Sequence, residues 1–226
     1  MLARALVFDV FGTLVDWRTA ISSAFEASGL PGDPEELADD WRARLWPPTG
    51  EINKGTRSWS NFDELHLETL DELLADRGME LDVVKRRGLV AAWHRLEPWP
   101  DARDGLEALR RERPVAALSN GHVALLVDLA RHGDLRFDCL FSAELARAYK
   151  PARVVYETAA CLLGLEPEEL MLVAAHPLDL AGARRAGLRT AFVDRPLEYG
   201  RGSPARDDPD ADVSVADLHE LSRRLG

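Results

Sequence analysis

The amino-acid sequence predicts an α/β protein, a mostly parallel sheet flanked by helices, with an all-helical unit inserted after the first strand. Two observations carry this. Short apolar runs alternate with helical patterns of ten or more residues, the signature of sequential strand–helix units. Residues 17–98 instead hold several amphipathic helical patterns in succession, with no strand between them.

In chain order, "RALVF" at 4–8 is the first strand, bounded by Asp9. Further strands are expected at "PVAALS" (114–119), "LMLVAAH" (170–176), "RTAFV" (189–193) and "DVSV" (212–215), with an extended segment near "FSAELARAY" (141–149). Helices fill the gaps at 101–112, 122–133 and 152–164, the last two closed by Gly133 and Gly164 as C-caps, with Pro151 in the first turn of the third. A final helix covers "VADLHELSRRL", and 200–211 reads as a surface loop. In the insertion, helical patterns cover 17–29, 34–46, 60–78 and 82–96; Phe62, Leu65, Leu70, Leu73 and Leu74 trace one apolar face. Residues 1–16 with 99–226 are therefore expected to form the core and 17–98 a separate helical domain.

The chain has 226 residues, enough for one good core and a satellite. A formal net charge of -11 argues against broad binding to nucleic acid or anionic membranes. No apolar run reaches membrane-spanning length and the N-terminus lacks a signal-peptide pattern, so the cytoplasm is the expected location. Cys139 and Cys161 match neither a CxxC pair nor a zinc knuckle; their apolar neighbourhoods predict buried free thiols in a reducing compartment. Apolar residues in the insertion leave a homodimer open.

Ligands of open α/β sheets bind beyond the carboxyl ends of the strands. The polar residues expected there are Asp9, Ser119, Asn120, His176 and Asp179, with Lys150 leading out of the sheet. A lone acid after a strand is commonly a helix cap, and Ser119-Asn120-Gly121 is by itself a turn; their shared edge raises them above that reading. A carboxylate can act as nucleophile through an ester intermediate. Lys150 would keep Asp9 ionised, and Asp179 would fix Lys150 and orient a water.

"VFDVFGTLVD", "ALSNG", "YKPARVVY" and "LVAAHPLDLAGARRAGLRTAFVDRP" resemble the four successive motifs of the haloacid dehalogenase superfamily, more narrowly its (S)-2-haloacid dehalogenase branch. The resemblance implies a Rossmann-like core with an inserted helical cap, and covers nearly the whole chain. It implies Asp9 as nucleophile, Ser119 and Asn120 as contacts for substrate carboxylate and halide, Lys150 as the motif-three lysine with Tyr156 six residues on as a substrate contact, and Asp179 as the motif-four acid. "DDWRARLW" resembles the branch's Trp-Arg pair, making Arg42 the halide-binding arginine, with Phe11, Trp41 and Trp17 as its dry wall.

Phosphatases of this superfamily place a second Asp two residues after the nucleophile, to protonate the leaving oxygen and activate water. Phe11 stands there and can do neither. The motif-four segment "AAHPLD" offers only Asp179 to a magnesium ion, which prefers several hard oxygen ligands. A halide leaves without a proton. The expectation is thus metal-free and cofactor-free hydrolysis of a small 2-haloacid, with His176 making ester hydrolysis pH-sensitive near the ordinary histidine pKa. The alternative is a magnesium-dependent phosphatase or phosphonatase.

Overall fold

The computed structural model describes residues 3–226. The elements are β1 (Ala5–Phe8), β2 (Val15–Asp16), α1 (Trp17–Ser28), α2 (Pro34–Ala43), α3 (Trp46–Asn53), α4 (Phe62–Asp76), α5 (Val83–Ala92), β3 (Glu97–Pro98) and α6 (Ala102–Arg110). They continue as β4 (Val115–Ser119), α7 (Val123–His132), β5 (Cys139–Ser142), α8 (Arg153–Leu163), β6 (Leu170–Ala174), α9 (Pro177–Arg185), β7 (Arg189–Val193), β8 (Val213–Val215) and α10 (Leu218–Leu225).

Six strands form one sheet in the order β5-β4-β1-β6-β7-β8, and every neighbouring pair is parallel. All four residues of β1 are buried, as expected of a central strand covered on both faces. Its neighbours β4 and β6 lie on opposite sides, so the connections diverge here and open a crevice beyond the carboxyl end of β1. The sequence places Asp9 in that crevice.

Helices α1–α5 make up the cap. Their starts follow local chemistry: Asp16 accepts from the Thr19 N–H at the head of α1, and Asn61 and Glu64 form a reciprocal capping box at α4. The cap core is aromatic, with Trp17, Trp41, Trp93 and Phe25 almost fully buried. Where the chain leaves and re-enters the sheet domain, β2 and β3 pair antiparallel through Val15↔Pro98 and Asp16↔Glu97.

Several expectations need correction. The helix read as 34–46 stops at Ala43, and a separate α3 starts at Trp46 with Pro47 and Pro48 in its first turn, where missing N–H groups do no harm. Pro151 lies before α8, which starts at Arg153. The extended segment near 141–149 is the edge strand β5 followed by a short 3-10 turn, Ala143–Ala146. Cys139 and Cys161 are exposed, because β5 is at the sheet edge and Cys161 sits on the outer face of α8. The thiols therefore give no burial argument about compartment. Among the described residues, no helix is long and apolar enough to cross a membrane.

Candidate active site

A cavity of about 220 Å³ opens between the carboxyl edge of the sheet and the cap. Its floor carries Asp9, Asn120, Lys150, His176 and Asp179; its roof carries Phe11, Arg42, Trp46 and Phe62. The floor residues, distant in sequence, meet here because they lie beyond the carboxyl ends of strands of one parallel sheet, whereas Arg42, Trp46 and Phe62 come from the cap helices.

The floor is a connected charge network. Lys150 Nζ donates to Asp9 Oδ1 at 2.8 Å, to Asp179 Oδ2 at 2.6 Å and to the Leu118 carbonyl at 2.9 Å. Its three ammonium hydrogens are thereby satisfied. Asp9 Oδ2 accepts from the Thr13 hydroxyl at 2.7 Å and meets His176 Nδ1 at 3.0 Å. The Ala175 N–H in turn donates to Thr13 Oγ1. Burial opposes ionisation of Asp9, but Lys150 and His176 outweigh it and hold the carboxyl well below the usual range. Burial also works against the Lys150 charge, and is outweighed by Asp179 and Asp9. Asp179 is pushed the other way, upward, by burial and by the negative charge of Asp9.

His176 is held on both sides, with Nε2 2.9 Å from Glu198 Oε1. Although burial disfavours its charge, Glu198 and Asp9 push its pKa up to about 9. It is an imidazolium at neutral pH, so its titration is displaced from the ordinary histidine value expected above. Glu198 is 0% exposed and also accepts from Trp17 Nε1 at 3.0 Å and from Arg206. Despite burial, His176 and Arg206 bring its pKa to about 2. This buried acid was not anticipated. It follows the end of β7 by five residues, in an irregular stretch whose sequence does not show that the acid turns inward. Gly12 makes room for it: its φ is +80°, and a Cβ there would lie 2.0 Å from Glu198 Oε1.

The roof is built differently. The Arg42 guanidinium carbon lies 5.5 Å from the ring centroid of Phe11, 5.4 Å from Trp17, 5.7 Å from Trp46 and 5.6 Å from Trp93. Its Nε is buried without a hydrogen-bond partner. Among the described residues it makes no ion pair. An arginine held by aromatic faces keeps its donors free for an incoming anion.

Asp9, Lys150, Asp179, Arg42, Phe11, Asn120 and His176 all line the cavity. Three expected contacts do not. Trp41 is 0% exposed and donates from Nε1 to the His66 carbonyl. Neighbouring residues on a helix point about 100° apart, so facing Arg42 into the cavity turns Trp41 into the cap core. Ser119 is fully buried, and its Oγ accepts the Gly121 N–H, holding the turn that presents Asn120. Tyr156 sits behind Asp179, donating to its Oδ1 at 2.6 Å, so it positions that acid. Asn120 Oδ1 accepts the Lys150 N–H at 2.8 Å, while its amide nitrogen makes no hydrogen bond among the described residues.

A magnesium ion, which many hydrolases of this fold use, does not suit this donor set. The cavity lining offers only two carboxylates, Asp9 and Asp179, both already bonded to the Lys150 ammonium that a dication would have to face.

Residues 3–187 match the family model described as haloacid dehalogenase-like hydrolase. The chain is 33% identical over 202 residues to (S)-2-haloacid dehalogenase 1 of Pseudomonas sp. (strain CBS-3), covering 87% of this chain and 88% of the relative. The crystal structure of an L-2-haloacid dehalogenase superposes with a TM-score of 0.93 at 43% identity, covering 99% of this chain and 98% of that one. A defluorinating L-2-haloacid dehalogenase gives 0.94 at 39% identity, covering 99% and 95%. Sheet order, helical cap and chain-wide similarity agree: the chain belongs to the haloacid dehalogenase-like hydrolases, in the branch of the (S)-2-haloacid dehalogenases.

Proposed function

We propose that the protein hydrolyses short (S)-2-haloalkanoic acids to (R)-2-hydroxy acids through an ester on Asp9, without a metal. The observation that carries this reading is the pairing of an ionised, buried Asp9 with an Arg42 that has no carboxylate partner, across a cavity of about 220 Å³. Phe11 fills the place where a phosphatase needs its second acid, which favours a leaving group that requires no proton.

Lone-pair counting assigns the oxygens. Asp9 Oδ2 serves two partners, Thr13 and His176, whereas Oδ1 serves only Lys150. Oδ1 therefore keeps the lone pair that attacks the α-carbon from behind. The carbon–halogen bond breaks with its electron pair on the halide, which leaves toward Arg42. Backside attack inverts the carbon and converts S to R. In the resulting ester, Oδ2 becomes the carbonyl oxygen, and the Thr13 hydroxyl and His176 N–H polarise it. They then stabilise the oxyanion when water adds to the ester carbon. Asp179, whose carboxyl is raised, takes the proton from that water. Collapse expels the product alkoxide, which takes back the proton from Asp179 and leaves as the hydroxy acid; the Asp9 carboxyl then loses its proton to solvent and is again a carboxylate. The Asn120 amide nitrogen is the polar donor left for the substrate carboxylate.

Halide release from (S)-2-chloropropionate in the presence of a chelator tests the reading, with the (R) isomer as control. The related defluorinating enzyme makes fluoroacetate a worthwhile further substrate. Magnesium-dependent phosphate release from a generic aryl phosphate, with no halide from any 2-haloacid, would overturn it. Single turnover in ¹⁸O-labelled water should place the label in Asp9 if the ester forms there.

A further inference from the structure

A second cluster of chemically capable side chains lies outside this cavity, on the flank where cap meets core. Asp63 is near the start of α4, His94 sits in the one-turn 3-10 segment Trp93–Arg95 and His122 is the N-cap residue of α7. Each offers one ligand atom, and these atoms all lie within 4.8 Å of one another. We propose that Asp63, His94 and His122 bind a zinc-type divalent cation that clamps the cap to the core.

Three features separate this cluster from an ordinary surface ion pair. First, His94 is already oriented as a metal ligand: its Nδ1 meets Asp128 Oδ2 at 2.8 Å and its Nε2 faces both oxygens of Asp63 at 3.1 Å. A carboxylate that fixes one ring nitrogen while the other faces a ligand site is the usual support for a metal-bound histidine. Second, His122 is only 8% exposed, yet its Nδ1 is buried without a hydrogen-bond partner. Its Nε2 stands 3.7 Å from Asp63 Oδ2, beyond hydrogen-bonding distance. The nitrogen that faces Asp63 is thus Nε2, which makes no hydrogen bond among the described residues and is open to a ligand. Third, the spacing suits a metal. Ligands about 2.0–2.1 Å from a tetrahedral zinc are about 3.3 Å apart. Asp63 lies 3.1 Å from His94 and 3.7 Å from His122, and the ligand atoms all lie within 4.8 Å of one another, so the imidazoles would draw together around the ion.

Two imidazoles and one carboxylate favour zinc, cobalt or nickel over magnesium or calcium, which prefer all-oxygen shells. A cleft of about 590 Å³, lined in part by Asp63, His94, Asp128 and His132, gives access and leaves room for a water as fourth ligand. The position also carries a consequence for the neighbouring cavity. Phe62 precedes Asp63, and Asn120 lies two residues before His122; both line the active-site cavity. A bound ion would tie these two walls together. This site stands independently of the reaction assigned above.

The test uses the full chain, stripped with a chelator and titrated with zinc by calorimetry and with cobalt by visible absorption. One saturable equivalent is expected, with a cobalt spectrum of four-coordinate intensity and a raised thermal midpoint in zinc. His94→Gln, His122→Gln and the near-isosteric Asp63→Asn should each weaken binding by about tenfold or more, since even loss of a supporting partner costs that much. His219→Gln, on the exposed face of α10, should bind as the parent does; thermal melts identify any variant that fails to fold. Absence of saturable binding overturns the site. So does binding that survives all three substitutions, or that falls equally with His219→Gln.

Discussion

The floor and the roof of the cavity treat charge in opposite ways. On the floor, Asp9, Lys150, Asp179, His176 and Glu198 form one chain of ion pairs, and every charge has a partner within hydrogen-bonding distance. On the roof, Arg42 has only aromatic faces around it and a buried, unpartnered Nε. The floor belongs to strand ends, where parallel topology brings distant residues together. The roof belongs mainly to the cap, whose helices supply broad apolar surfaces, joined by Phe11 from the loop after β1. A charge neutralised in advance can be buried and aimed; one left uncompensated is reserved for an anion that arrives later. The two halves thus divide the proposed reaction, attack below and departure above.

The strongest way to break this division is to remove the floor's nucleophile. Asp9→Asn keeps the shape and should lower halide release by at least about 10⁴-fold, as loss of a nucleophile does elsewhere. Residual turnover near the parent rate would move attack to another group. The roof is tested by Arg42→Gln, for which steady-state halide release should fall by roughly 10²–10³-fold, the scale for losing one preorganised stabilising donor. If departure is its role, 2-bromo acids should suffer less than 2-chloro acids, because bromide leaves more readily. Equal losses would place Arg42 in substrate binding instead.

His176→Ala sharpens the floor itself. Ester breakdown should slow by about 10–100-fold while ester formation changes less, giving a burst followed by a slower steady state. Identical burst and steady-state phases would remove His176 from the second step. Effects of similar size are expected in stability. The folded pKa of His176 is raised to about 9 from an ordinary 6.5, so its contribution is complete below about pH 6.5 and fades as pH rises through about 9. Chemical denaturation from pH 6 to 10 should show this loss. Glu198→Gln should diminish it and cost about 1.5–3 kcal/mol near neutrality, the range for hydrogen bonds to charged groups. An unchanged pH profile would mean that Glu198 does not set the charge of His176.

Much of the floor was legible in the sequence, because strand ends can be read from short apolar runs followed by turns. Asp9, Lys150, His176 and Asp179 needed only the rule that ligands gather at one edge of a parallel sheet. Glu198 escaped for a local reason: it lies in an irregular stretch beyond β7, and nothing in "RPLEYG" shows that Gly12, far away in sequence, leaves space for a buried carboxylate. The roof was less legible. Periodicity identified an aromatic cap without saying which rings surround Arg42, so Trp41 was expected where Trp46 and Trp93 stand. Trp41 turns inward because it neighbours Arg42 on α2, about 100° around the helix, while Trp46 comes from α3 and Trp93 from the 3-10 turn after α5. Ser119 and Tyr156 were placed at the right strand and helix but one layer too far forward, since motif position does not tell whether a hydroxyl faces ligand or scaffold.

The short β2–β3 ribbon has an evolutionary reach beyond its size. It holds the departing and returning chains one strand spacing apart, about 4.8 Å. To the sheet, everything between those two points behaves as a single closed loop, whatever its length or content. Closure entropy grows only slowly with loop length, so enlarging or exchanging the intervening helices costs the sheet little. The ribbon is a socket: a lineage could replace the roof, and with it the leaving group accommodated, while inheriting the nucleophile unchanged.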